Sequence, residues 1–127
     1  MDEIFEDFKL ESNQLTDQLI DILEVAEADF GNVKKLDEFG QIVDRIMGGA
    51  KSLAVTIEHS PVLDNIGIYA ELCKLVGYKA SQIEENENFY FIVVGLLFDA
   101  TEMLKEMIVC LNTPKEQNIK EMLSQTF

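Results

Sequence analysis

Apolar residues recur along the chain at steps of three and four. Between residues 3 and 28, Phe5, Phe8, Leu15, Leu19, Ile22 and Ala26 share one side of a helical wheel, with Glu6, Lys9, Glu11, Asn13, Asp17 and Asp21 opposite. That period predicts an amphipathic helix. Asp29-Phe30-Gly31-Asn32 reads as a turn, with Asn32 placed to cap the next helix. The second segment repeats Leu36, Phe39, Val43, Ile46, Ala50, Leu53 and Ile57, a bundle seam that should end near Glu58 or His59. Ser60-Pro61 restarts a helix, with serine as cap and proline at the first helical position.

The third seam is Val62, Ile66, Tyr69, Cys73, Val76, Ala80 and Ile83. Polar Glu84-Glu85-Asn86-Glu87-Asn88 separates it from a fourth, Phe89, Val93, Leu96, Ala100, Met103, Met107 and Leu111. The β-branched Ile92-Val93-Val94 interrupts neither the period nor the helix it implies. Thr113-Pro114-Lys115-Glu116 is a capping box that opens a short fifth helix to about Ser124. The expected fold is all-α: one domain over 1–127, an antiparallel up-down four-helix bundle with a short fifth C-terminal helix.

The chain has 127 residues, enough to bury a core without staples. Ten basic against 24 acidic side chains leave a net charge of −14. That balance argues against nucleic-acid and anionic-membrane partners, which need a basic face, and favours basic protein surfaces. Cys73 and Cys110 sit among apolar neighbours and read as buried free thiols, with no ligand spacing for a metal. Met1-Asp2-Glu3 lacks the basic start of a signal peptide. The apolar run Phe89 to Phe98 falls far short of the ~20 residues that span a bilayer. A cytoplasmic protein without a cofactor is expected, since no phosphate-cradling loop or Ser-His-Asp set appears either.

The second helix carries the informative surface. Opposite its seam lie Asp37, Gln41, Asp44 and Gly48, with Met47 and Lys51 at the margins. Gly48-Gly49 sits mid-helix, where each glycine costs about 1 kcal/mol relative to alanine. Two readings account for the pair: close packing or a kink within the bundle, or the approach of another molecule to the backbone beyond Asp44.

The segment Asp44-Arg45-Ile46-Met47-Gly48-Gly49-Ala50 resembles the active segment of histidine phosphotransfer (HPt) domains, including the first domain of chemotaxis histidine kinases. That segment reads histidine, two residues, lysine, glycine, a small residue, alanine. Gly48, Gly49, Ala50 and apolar Ile46 match, and Tyr69-Ala70-Glu71-Leu72-Cys73 is similar to what the family places on its third helix. The resemblance covers residues 4 to 112 and implies an antiparallel bundle that docks onto receiver domains. Two positions depart from the pattern: Asp44 stands for the histidine and Met47 for the lysine. A carboxylate cannot form a phosphohistidine, and without the lysine an acyl phosphate lacks its support. The resemblance therefore implies a pseudo-HPt domain, with Asp44 at the pseudo-phosphoacceptor position and a docking surface of Asp37, Gln41, Asp44, Met47, Gly48 and Lys51. His59, the single histidine, lies 15 residues further on, about 22 Å along a helix.

A second, local resemblance lies on the same stripe. Asp37-Glu38-Phe39-Gly40-Gln41, followed by Ile42-Val43, is similar to the aspartate–glutamine pattern of CheZ-type chemotaxis phosphatases. There the glutamine orients water toward a receiver's aspartyl phosphate and the acid engages a receiver lysine. One helical turn would place Asp37 and Gln41 on one face.

The fourth helix has more apolar residues than one seam needs: Tyr90, Phe91, Ile92, Val94, Leu97 and Phe98. Either the fifth helix covers them, through Ile119, Met122, Leu123 and Phe127, or they form a homodimer or partner interface. Three functions fit the sequence. The first is a two-component signalling adaptor that binds the receiver domain of a response regulator, or a histidine kinase, without accepting phosphate. The second is a receiver aspartyl-phosphate phosphatase acting through Asp37 and Gln41. The third is an unrelated helical interaction or chaperone protein.

Overall fold

Four helices carry most of the chain in the computed structural model, which describes residues 2–57 and 60–114. They are α1 (Asp2–Ala28), α2 (Lys35–Thr56), α3 (Pro61–Ala80) and α4 (Glu87–Cys110), with one 3-10 turn at Phe30–Asn32. No strand occurs among the described residues. Each helix packs on its sequence neighbours, and α1 closes the ring against α4.

Cross-helix contacts show that the neighbours run antiparallel. Lys9 Nζ at the start of α1 donates to the carbonyl of Leu111 just past α4, while Tyr90 at the start of α4 donates to Ala26 near the end of α1. A Cβ on Gly49 would touch the ring of Phe8, and Arg45 pairs with Glu11, so α2 descends along α1. The fold is thus the expected all-α antiparallel bundle. The expected fifth helix lies outside the described residues, as do Glu58 and His59.

The α2 seam is buried throughout, from Leu36 to Ile57. Its clean alternation of apolar and polar positions leaves a single way to turn the helix. In α4 the first half turns differently from the sequence expectation. Tyr90, Val94 and Leu97 are buried, whereas Phe89 is 50% exposed and Leu96 lies at the surface. A helix apolar nearly all round has no periodic signal to set its phase. The phase is set instead by Tyr90, whose hydroxyl donates to Ala26 O at 2.7 Å and whose ring lies 4.9 Å from that of Phe30. In α3 the buried face shifts similarly: Leu63, Ala70 and Gly77 enter the core, and Val62 and Val76 are only half-buried, as is Ile83 beyond the helix end.

Helix ends differ in detail. Asn32 does not cap α2; its side-chain amide donates to Val25 O at 2.9 Å. The 3-10 turn runs through helical Val33 and Lys34 into α2, so no extended residue is left there to act as a cap. Extended Asp29 takes that role for the 3-10 turn, accepting from Gly31 N at 2.8 Å. Ser60 occupies the N-cap of α3, but its hydroxyl makes no capping bond. α2 stops at Thr56 and α3 at Ala80, each slightly short of the expected end. α4 begins two residues early because Asn86, at φ 69°, accepts from Phe89 N and caps it.

Small residues set the closeness of α2 and α3, the most extensive packing in the bundle. A Cβ on Gly40 would sit 2.5 Å from the Tyr78 ring, and one on Gly77 would sit 2.8 Å from Phe39. Cys73 and Cys110 are buried free thiols, and burial pushes the Cys73 thiol up to about 12. Among the described residues no helix is long and apolar enough to cross a membrane.

Candidate partner-binding surface on α2 and α3

With its seam locked into the core, α2 presents Asp37, Gln41, Asp44 and Gly48 to solvent along one line, and Lys51 beside it. These four expected residues are brought together. Met47 is not an outward residue: it is half-buried and packs against the core. Gly48 and Gly49 answer the two readings of the glycine pair separately. A Cβ on Gly49 would lie 3.3 Å from Phe8, so that glycine serves packing against α1. A Cβ on Gly48 would meet nothing within 4 Å. No bundle contact accounts for Gly48, and it leaves the α2 backbone open one turn beyond Asp44.

Two side chains of α3 complete the surface. Lys74 reaches across the helix pair and places Nζ 3.1 Å from Asp44 Oδ1. Its side chain is only 20% exposed, against 51% for Asp44, so the lysine stem lies along the bundle and its head meets the carboxylate at the surface. Lys51 likewise crosses Gly67, its Cγ 3.2 Å from where a Cβ would stand, to pair with Glu71 at 3.5 Å. The charges on this face are thus fixed in an alternating pattern by α3. Exposed pairs of this kind contribute roughly 0–1 kcal/mol to stability, so their effect is chiefly on where charge sits.

Asp37 and Gln41 are also brought together, by a hydrogen bond from Gln41 Nε2 to Asp37 Oδ2 at 2.9 Å. One turn along α2 is the spacing at which such side chains meet. Gly40, between them in sequence, faces inward under Tyr78 and belongs to the packing. On α3, Tyr69, Ala70 and Cys73 are buried, while Glu71 and Leu72 reach the surface.

The chemistry open to this face is that of charge pairing and hydrogen bonding. Asp44 offers a carboxylate already engaged by an ammonium. α2 ends at Thr56, about 18 Å along the helix from Asp44, and His59 lies outside the described residues. Among the described residues no group of three His, Cys, Asp or Glu is placed to hold a metal ion. Lys74 was missed by reading α2 alone, and Glu71 was named only within the Tyr69–Cys73 segment; the signal for both was the register of the α2–α3 hairpin. Compared with family models, curated proteins and solved structures, the chain matches none.

Proposed function

We propose that this chain is a cytoplasmic signalling adaptor whose α2–α3 face binds a receiver domain, or a histidine kinase, in the manner of an HPt domain but without carrying phosphate. One observation supports it above the others. Asp44, at the HPt acceptor position, is exposed and held by Lys74, and the backbone beside it is open at Gly48. A histidine there would be a nucleophile. An aspartate tied to a lysine is a fixed ion pair that a partner can recognise.

The phosphatase reading is supported by a separate observation, the Asp37–Gln41 pair on the same exposed line. One experiment distinguishes the two. Receiver domains labelled with acetyl phosphate are mixed with the protein, and both binding and loss of label are followed. The adaptor binds and leaves the rate of label loss unchanged. A phosphatase accelerates the loss, and Gln41→Ala abolishes the acceleration. Failure to bind any receiver of the source cell overturns the phosphatase reading, and failure to bind either a receiver or a histidine kinase overturns the adaptor reading.

A further inference from the structure

We infer that the α3–α4 face, away from the α2 surface, pairs with the same face of a second copy of this chain. The starting observation is an apolar groove between the C-terminal half of α3 and the start of α4, lined by Leu75, Val76, Lys79, Ile83, Phe89 and Val93. Around it Leu72, Leu75, Phe89, Ile92 and Leu96 keep between 36% and 69% of their surface exposed. Apolar side chains clustered in this way mark an interaction surface.

Charge selects the occupant. The chain carries −14 in all, yet the residues from Leu72 to Ile83 hold only Lys74 and Lys79, and those from Asn88 to Phe98 hold no charge. Between the two walls themselves, two copies therefore oppose few like charges. The rim is also self-complementary. Lys79, exposed on the α3 wall, makes no ion pair among the described residues, and exposed Glu84, Glu85 and Glu87 join the two walls at the same end. A two-fold axis along the bundle sets the α3 wall of one copy against the α4 wall of the other. Lys79 then faces Glu87 of the second copy, and the symmetry makes the contact twice.

The area also sets the strength. Two helices ~10 Å apart over ~18 Å of length give a footprint near 360 Å² per copy, under the ~800 Å² of a standard interface, so the dimer is weak and reversible.

Analytical ultracentrifugation of the full chain from low to high micromolar concentration tests this. The weight-average mass should rise from monomer toward dimer. Ile92→Glu, at a 69% exposed position where folding should be unaffected, should weaken association about tenfold or more. Lys79→Glu should weaken it as well, and Lys79→Glu combined with Glu87→Lys should recover it. A mass that stays monomeric overturns the inference. So does a dimer indifferent to Ile92→Glu and Leu75→Glu, or a double reversal without recovery. Receiver binding plays no part in the measurement, so its outcome is independent of the function proposed above.

Discussion

Asp44 and Lys74 stand thirty residues apart in the sequence and 3.1 Å apart across the α2–α3 hairpin. The pair is exposed on the Asp44 side, so its contribution to stability is screened by solvent. Lys74→Met should therefore cost under ~1 kcal/mol in urea denaturation, and that small loss should shrink further at high salt. If the surface serves binding, the same variant should change receiver affinity several-fold. A double-mutant cycle with Asp44→Asn, read by both denaturation and affinity, separates the two effects.

Gly48, on the exposed line of α2, and Gly40, turned inward from it, should respond to alanine with opposite signs. Gly48→Ala enters open space and gains helix propensity, so it should stabilise the protein by up to about 1 kcal/mol. Gly40→Ala places a methyl 2.5 Å from the Tyr78 ring and should destabilise by roughly 1–3 kcal/mol. Gly48→Arg should fold normally and lose receiver binding, because its side chain fills the opening beside Asp44. Thermal melts and a binding titration check all three.

Incubation with a phosphorylated receiver should leave no acid-labile, base-stable label on the protein. Asp44→His supplies an imidazole at the acceptor position, but Met47 still stands where the HPt pattern has lysine. Transfer to that variant should stay low. Asp44→His with Met47→Lys is the variant in which label should first become measurable, by radiolabel retained on the gel.

Burial keeps the Cys73 thiol protonated to about 12 in the folded protein, while an unfolded thiol ionises near 9.0. The folded state holds its proton more tightly, so this contribution to stability is complete below pH ~9 and is lost as pH rises toward 12. Tyr90, raised by burial and then by the nearby Asp29 carboxylate, acts in the same direction at higher pH. The urea midpoint should fall between pH 8 and pH 10.5, and Cys73→Ala should flatten that fall from a lower starting stability. Thiol reagents at neutral pH should reach Cys73 only as fast as the protein opens.

How legible the fold was depends on the contrast within each helix. α2 alternates apolar and charged residues sharply, and every position of its seam from Leu36 to Ile57 is buried as read. α4 offers Phe89, Tyr90, Phe91, Ile92, Val93 and Val94 in succession, and no period can say which of these faces inward. The Tyr90 hydroxyl decides it by reaching a backbone carbonyl 64 residues away. The exposed line Asp37, Gln41, Asp44 and Gly48 was legible for the same reason as the α2 seam, being its opposite face. Lys74 was not, because its role depends on a second helix. The hairpin's register would have shown it. Gly40 with Tyr78, Asp44 with Lys74 and Lys51 with Gly67 share one sum of residue numbers, 118, as a chain folded back about residue 59 requires.

That hairpin also sets an order of events in time. Its contacts close short loops, whereas Lys9 and Leu111 must find each other across 102 residues before α1 and α4 can seal the ring. Loop closure costs more entropy the longer the loop, so α2 and α3 should zip together first and serve as the folding nucleus. Stopped-flow measurements should then find Gly40→Ala slowing refolding, and Tyr90→Phe, which removes the hydroxyl bound to Ala26 O, acting almost entirely by hastening unfolding. The proposed docking surface, carried wholly on α2 and α3, would be assembled before the rest of the protein has closed around its core.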